Sequence, residues 1–405
     1  MIEGVVILDE VQSLPIEVTT LFNLMMNFLS KVMNTTIILC TATQPAYDSS
    51  EIDHRIQYGG LDNENSDIVE LSSEEREIFS RTELRKYDEH NQKTRLADLV
   101  GSVLKEETSI LAIFNTKKTV DKCYQLLESM TDRPLYHLST NMCAQHRLDV
   151  IFEIKQQLKD GVPIICVSTQ LIEAGVDVDF HRVIRSYAGI DSIVQAAGRC
   201  NREGKRQKGE VTLVNLADEE ENISRLKEIK AKKSATEWLL NNSSSPIDIS
   251  LLNRDFFEYY YANNSHQMTY PLGDGESVYD YLTENLYQTA NRPFKGKLRQ
   301  AFKTAGSKLD LINSDTVGVF VPYGEAKEKL MDLEALCESD YPTSEDYRAI
   351  KSLLRELQPY TVNIREHDEL LSATKSYLNG QILILADGYY DDKKGITKES
   401  SSFIF

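Results

Sequence analysis

Two short runs in this 405-residue sequence carry side chains that could work together on a phosphate ester. The first is Asp9-Glu10-Val11-Gln12, directly after the apolar run Val5-Val6-Ile7-Leu8. Two carboxylates so placed can take different jobs: one holds Mg²⁺ on the β- and γ-phosphates of a nucleoside triphosphate, and the other orients the attacking water. Asp-Glu after a strand is also a common helix start, so the pair alone leaves both roles open. The second run spans Ser168 to Gly204. It holds Thr169-Gln170, then Glu173-Ala174-Gly175-Val176-Asp177, then Gln195, Gly198-Arg199 and Arg202. Ser192 to Ala197 predicts the opening turns of a helix, which would put Gln195, Arg199 and Arg202 at i, i+4 and i+7 on one face. Two guanidiniums and an amide aimed one way suit a triphosphate, because Arg offers a fixed fork of donors to phosphate oxygens. A basic surface helix with a Gly kink is the plainer alternative for an isolated Arg pair.

These groups need a scaffold that brings strand ends together. Val5–Leu8 predicts a central parallel strand, whose carboxyl end is where an α/β sheet places its ligand. A helical pattern follows from Ile16 to Val32, then a second buried strand, Thr35 to Cys40. The hydroxyls of Thr41 and Thr43 come next; they either link a nucleotide site to a nucleic-acid face or are polar strand-end groups. Ser109–Phe114 predicts a strand ending at Asn115-Thr116-Lys117-Lys118, and Leu135–Leu138 one ending at Ser139-Thr140. Hydroxyl and amide groups at such ends can bind a sugar-phosphate backbone without reading sequence; capping the next helix is the competing role. Helices are expected over Val120–Met130 and Ala144–Leu158, and strands at Pro163–Val167, Val183–Ser186 and Glu210–Leu213. This alternation predicts a doubly wound parallel sheet, an α/β fold.

Ser243-Ser244-Ser245-Pro246 reads as a linker. Beyond it the aromatic run Phe256–Tyr261 could stack on bases, although Tyr at helical spacing is mainly core. Strand-like runs at Val317–Pro322, Tyr360–Ile364 and Gln381–Ala386, with a helix at Ser344–Leu357, predict a smaller α+β domain. The expected division is 1–82, 83–242 and 243–405.

A net charge of −18 argues against a general nucleic-acid binder. It leaves room for a local basic groove, with Lys117-Lys118, Lys205 to Lys208, Lys227 to Lys233 and Lys295 to Lys308 as candidates. No apolar run reaches the ~18 residues of a membrane span, and Met1 leads straight into a strand pattern rather than a leader. The six cysteines are scattered, with no C-x-x-C. They read as reduced thiols, which suits the cytoplasm.

Taken together, D-E-V-Q at Asp9, T-A-T at Thr41, T-Q-L-I-E-A-G-V-D at Thr169 and Q-A-A-G-R-C-N-R at Gln195 resemble motifs II, III, V and VI of superfamily 2 helicases. With A-I-F-N-T-K-K at Ala112 and H-L-S-T-N-M at His137, the set is similar to the CRISPR-associated helicase–nuclease of type I interference systems, closest to the type I-C-like variant. That resemblance implies RecA-like lobes: a partial first lobe, a complete second lobe and a smaller C-terminal domain. It implies ATP-driven 3′-to-5′ movement on single-stranded DNA, with recruitment by a crRNA-guided surveillance complex. In these terms Asp9 holds Mg²⁺, Glu10 acts on the water, and Arg199 and Arg202 reach the γ-phosphate with help from Gln195. Gly175 and Asp177 touch the nucleotide sugar or couple it to the arginines. Asn115, Thr116, Thr140, Thr169 and Gln170 hold DNA phosphates.

The sequence has no G-x-x-x-x-G-K-[ST], the loop that cradles the phosphates in such motors. Only eight residues precede Asp9. The expectation is a fragment, or a protein completed by a partner carrying the phosphate loop and the HD nuclease. A strand left unpaired on at least one side of Val5–Leu8 should result. His367-Asp368 stands without companions at nuclease spacing and is expected to be no metal site.

Overall fold

The computed structural model describes residues 3–59, 67–69, 72, 74–75, 79–273, 275–283, 300–311, 315–339 and 343–398. Lys295, Lys297 and Arg299 of the last basic stretch lie outside the described residues. Among those described, no helix is long and apolar enough to cross a membrane. The chain groups into two compact units. One comprises 1–80, 188–194 and 230–313; the other comprises 81–187, 195–229 and 314–405.

In the first unit, β1 (Val5–Asp9) pairs in parallel with β2 (Thr36–Cys40), from Val5↔Thr36 to Asp9↔Cys40. Helix α1 (Thr19–Lys31) connects them. An unbroken apolar run predicts a strand covered on both faces, and the structure corrects this. Val5 and Ile7 are 63% and 65% exposed, so every second side chain of β1 faces outward. Among the described residues β1 has β2 as its sole neighbour, the unpaired edge anticipated from the sequence. The other side of the pair is well covered. Val11, Ile16 and Tyr47 pack with Phe256, Phe257, Tyr260 and Tyr261 of the helix Ile249–Asn264. The aromatic run is therefore core: at i, i+1, i+4 and i+5 these rings share one buried helix face. Tyr47 donates its hydroxyl to the Val11 carbonyl at 2.9 Å, which fixes the chain just after Asp9-Glu10.

The second unit holds a six-stranded, all-parallel sheet of β3 (Thr82–Lys86), β4 (Ile110–Phe114), β5 (Leu135–Leu138), β6 (Ile165–Thr169), β7 (Arg182–Ser186) and β8 (Gly209–Val214). The spatial order is β3-β8-β7-β4-β6-β5. Residues 110–114 and 165–169 are buried throughout, as expected of central parallel strands. On one face, α2 (Leu96–Val103) and α3 (Lys117–Glu128) insert Leu99, Val103, Val120 and Leu127 against β4 and β6. Helix α4 (Ala144–Lys159) leads from β5 to β6, and α5 (Ile190–Ala197) follows β7.

Residues 315–398, as far as they are described, add a four-stranded mixed sheet to this unit. Its strands are β9 (Thr316–Phe320), β10 (Thr361–Arg365), β11 (Thr374–Tyr377) and β12 (Ile382–Leu385), in the order β10-β9-β12-β11. A short hairpin follows, β13 (Tyr390–Asp391) with β14 (Gly395–Ile396). The helix over Ser344–Leu357 starts with the reciprocal cap its sequence encodes: Thr343 accepts from the Asp346 N–H, and Asp346 accepts from the Thr343 N–H.

Candidate functional site

In a parallel sheet all carboxyl ends lie on one side, the side where such folds hold ligands. The second unit therefore gathers Asn115 after β4, Thr140 after β5, Gln170 after β6 and Tyr187 after β7 along one edge. Their environments differ. Gln170 and Thr140 are exposed. Thr169 is buried at the end of β6. Thr116 is the N-cap of α3, its Oγ1 accepting the Thr119 N–H at 3.1 Å, so here the capping role holds. Gly175 has φ +70° with open space where a side chain would stand. Only glycine takes that conformation without strain.

Asn115 belongs to a buried network. Its N–H and Nδ2 donate to the two oxygens of Glu221 at 2.7 and 2.8 Å, and its Oδ1 accepts from Arg185 Nη1 at 2.9 Å. Arg185 Nε reaches Glu173 Oε1 at 2.7 Å; the two side chains are 1% and 4% exposed. Ser186 Oγ also donates to Glu221. An array of one guanidinium and two carboxylates is tolerated inside because Arg185 pairs with Glu173 while Glu221 accepts three hydrogen bonds from Asn115 and Ser186. It welds the ends of β4 and β7 to the segment after β6.

The expected helix face of Gln195, Arg199 and Arg202 is not formed. Helix α5 ends at Ala197, and Gln195 sits half-buried on its last turn. The next residues pair with Phe180 instead: Phe180 N–H donates to the Arg199 carbonyl at 2.9 Å and Asn201 N–H to the Phe180 carbonyl at 3.2 Å. That extended pairing draws the backbone out of the helix, so the two arginines diverge. Arg199 is buried and donates to the carbonyls of Ile172 (2.9 Å) and Glu173. These carbonyls close the short turn Gln170–Ile172 and would otherwise lack donors. Arg202 turns outward: its Nε lies 2.6 Å from Asp177 Oδ1, with side chains 44% and 75% exposed. Its own N–H is held by Asp179 Oδ1 at 2.9 Å. Each arginine thus ties the segment after β6 to the turn after α5.

In the first unit, the carboxylates at the end of β1 are both exposed. Asp9 Oδ1 accepts the Glu10 N–H at 2.9 Å. Glu10 itself is left-handed, φ 56° and ψ 39°, a conformation costing a non-glycine residue roughly 1–2 kcal/mol. It is held there by the Cys40 carbonyl, which accepts its N–H at 3.0 Å, and by Ser13, whose Oγ donates to its carbonyl at 2.7 Å. Buried Gln12 is the hub: its Nε2 donates to Glu10 Oε2, and its Oε1 accepts from Thr41 Oγ1. Thr41 in turn accepts the Thr43 N–H at 3.1 Å. Thr43 Oγ1 is buried with no partner among the described residues. The strand-end acids and the Thr41–Thr43 turn are thereby one hydrogen-bonded unit.

Sequence reasoning missed Arg185, Glu221 and Gln12 as members of these networks. Arg185 carries a signal, a charge directly after Val183-Ile184 inside β7. Glu221 does not, since it ends the acid cluster Asp218–Glu221, which looks like solvated charge.

Residues 106–205 match the family described as the C-terminal part of the CRISPR-associated nuclease/helicase Cas3. Over 104 residues the chain is 42% identical to the CRISPR-associated nuclease/helicase Cas3 of Haloferax volcanii, a stretch covering 25% of this chain and 11% of that protein. Over 228 residues it is 26% identical to the Cas3 of Methanothermobacter thermautotrophicus, covering 54% and 26% respectively. The crystal structure of T. fusca Cas3 with AMPPNP superposes with a TM-score of 0.61 at 15% identity, covering 98% of this chain and 52% of that one. The chain therefore spans about half the length of that solved structure and a smaller share of the curated relatives. The shared fold is the RecA-like α/β architecture expected from the sequence, with a smaller sheet at the C-terminus. By these matches residues 106–205 are similar to the C-terminal part of the CRISPR-associated nuclease/helicase Cas3, and the chain shares the fold of a solved Cas3 structure.

Proposed function

We propose that this chain is the C-terminal part of an ATP-dependent single-stranded DNA translocase acting in CRISPR interference. One observation supports this reading above the others. Gln170 and Thr140 stand exposed at the carboxyl edge of a parallel sheet, and Arg199 and Arg202 tie the segment after β6 to the turn after α5. The segment after β6 thereby connects the exposed strand-end groups to the arginines. Segments 1–82, 83–242 and 243–405 serve as the end of the first lobe, the second lobe and the linker with C-terminal domain.

In this reading Asp9 would hold Mg²⁺. Its exposed carboxylate is a hard oxygen donor, and Oδ1 is already oriented by the Glu10 N–H. The ion, when bound, supplies neutralisation of phosphate charge. Glu10, set by Gln12 and its left-handed backbone, holds the water to be deprotonated. Arg202 offers its guanidinium to the developing charge, and Arg199 fixes the turn that carries it. Gln195, Gly175 and Asp177 hold the nucleotide side of the segment. Asn115, Thr116 and Thr169 are engaged internally, so Gln170 and Thr140 make the first contacts with DNA phosphates.

The missing phosphate loop and the bare face of β1 favour completion of the first lobe by further polypeptide, in cis or in trans. The crRNA-guided surveillance complex is the proposed recruiting partner and the cytoplasm the place of action. Purified alone, the 405 residues should bind single-stranded DNA yet show negligible ATP turnover. Robust hydrolysis by the isolated chain would contradict this. Absence of single-stranded DNA binding would favour a docking module instead.

A further inference from the structure

The loop that carries Thr140 is gripped by the β13–β14 hairpin. Ile396 N–H donates to the Asn141 carbonyl at 2.9 Å, and Cys143 N–H donates to Tyr390 Oη at 3.1 Å. Two alternate backbone groups of the loop are therefore held by residues about 250 positions further along. Gly395 makes this approach possible. It has φ +81°, and a Cβ there would lie 2.2 Å from the Asn141 oxygen. No side chain fits without moving the loop.

The grip continues into α4. His146 Nδ1 lies 2.9 Å from Tyr390 Oη, and its ring stacks on Tyr323 with centroids 4.2 Å apart at 15°. Tyr323 donates to Asp149 Oδ2 at 3.1 Å. Cys143 is counted among the buried core of the C-terminal sheet itself. Within the loop, Ser139 Oγ accepts the Asn141 N–H at 3.1 Å, which leaves Thr140 exposed at the apex.

We propose that the 390–396 hairpin is a positioning clamp. Tyr390 and Gly395 set the Thr140 loop for the backbone of a single strand of nucleic acid, and the C-terminal sheet thereby contributes to strand binding without touching the strand. The inference rests on the DNA-binding reading given above. Neither residue contacts the ligand; both act through the backbone at Asn141 and Cys143.

The test uses the whole 405-residue chain and a labelled oligodeoxythymidine of about 20 nucleotides, followed by fluorescence anisotropy. Tyr390→Phe should weaken binding about fivefold, the worth of one lost hydrogen bond. Thr140→Val should weaken it similarly, and the double variant should be no weaker than the worse single, because both changes disable one contact. Gly395→Ala should weaken binding further, with faster amide exchange at Asn141 to Cys143. Should Gly395→Ala fail to fold, Tyr390→Phe decides alone. Unchanged affinity in folded Tyr390→Phe, or fully additive losses in the double variant, would overturn the clamp while leaving DNA binding intact. Absence of binding by the unaltered chain would instead remove the DNA reading on which the clamp depends.

Discussion

Arg202 Nε lies 2.6 Å from Asp177 Oδ1, joining the turn after α5 to the segment after β6. The pair is solvent-exposed, so its worth to folding is below about 1 kcal/mol. Its proposed value is in orienting the guanidinium. In a polypeptide that also supplies the phosphate loop, Asp177→Asn should lower ATP turnover roughly tenfold, the scale of one charge-assisted hydrogen bond. The melting temperature should barely move. Turnover unchanged from the parent would show that Asp177 does not orient Arg202 for chemistry.

The buried pair behaves differently. Arg185 and Glu173 sit 2.7 Å apart with almost no exposure. Removing the guanidinium leaves Glu173 and Glu221 inside with one counter-charge fewer. Arg185→Met should therefore destabilise the second unit by about 3–5 kcal/mol. Adding Glu173→Gln should restore part of the loss. Urea unfolding followed by tyrosine fluorescence measures both; a loss under about 1 kcal/mol for Arg185→Met would contradict the role given to the network.

Stability should depend on pH through His146. Burial pushes its imidazole below the ordinary range, partly opposed by a hydrogen bond to the backbone of Asp392 and by the carboxylates of Asp392, Asp149 and Asp391. The folded state thus releases its proton before the unfolded chain does. As pH falls below the unfolded value of 6.5, the unfolded chain binds more protons and stability declines; above it the contribution is complete. The melting temperature should drop between about pH 7.5 and 5.5, and His146→Gln should flatten that slope. An identical slope in the variant would place the titration elsewhere.

Much of this architecture could be read before the structure. The run Ile110–Phe114 and the helix start at Thr343 are encoded locally, by unbroken apolar character and by a reciprocal cap. The carboxyl-edge grouping of Asn115, Thr140 and Gln170 follows from strand order alone. What could not be read are long-range backbone demands. Arg199 and Arg202 share a helical spacing, but pairing of 199–201 with Phe180 breaks the helix first. Asn115 has the type expected of a phosphate ligand, yet its N–H and Nδ2 donate to Glu221, 106 positions away, and Nδ2 also to the Tyr187 carbonyl. The apolar run of β1 resembles a covered strand, and whether it is covered depends on neighbours outside the run.

Single-strand binding should be governed by phosphate contacts. Its logarithm should fall linearly with the logarithm of salt, by about 0.7 per phosphate neutralised. Gln170→Ala should weaken binding equally on oligodeoxythymidine and mixed-sequence strands. Filter binding across salt concentrations measures this; a strong base preference would contradict backbone recognition through Gln170 and Thr140.

The central proposal is that Asp9, Glu10 and Arg202 act in ATP hydrolysis rather than in strand binding. DNA-stimulated ATP hydrolysis by a polypeptide with a complete first lobe tests it most directly, with single-strand affinity measured in parallel. Asp9→Asn, Glu10→Gln and Arg202→Ala should each lower turnover by about 10³ or more while affinity stays within about threefold. Turnover retained in Arg202→Ala, or a matching collapse of affinity in all three variants, would contradict that role.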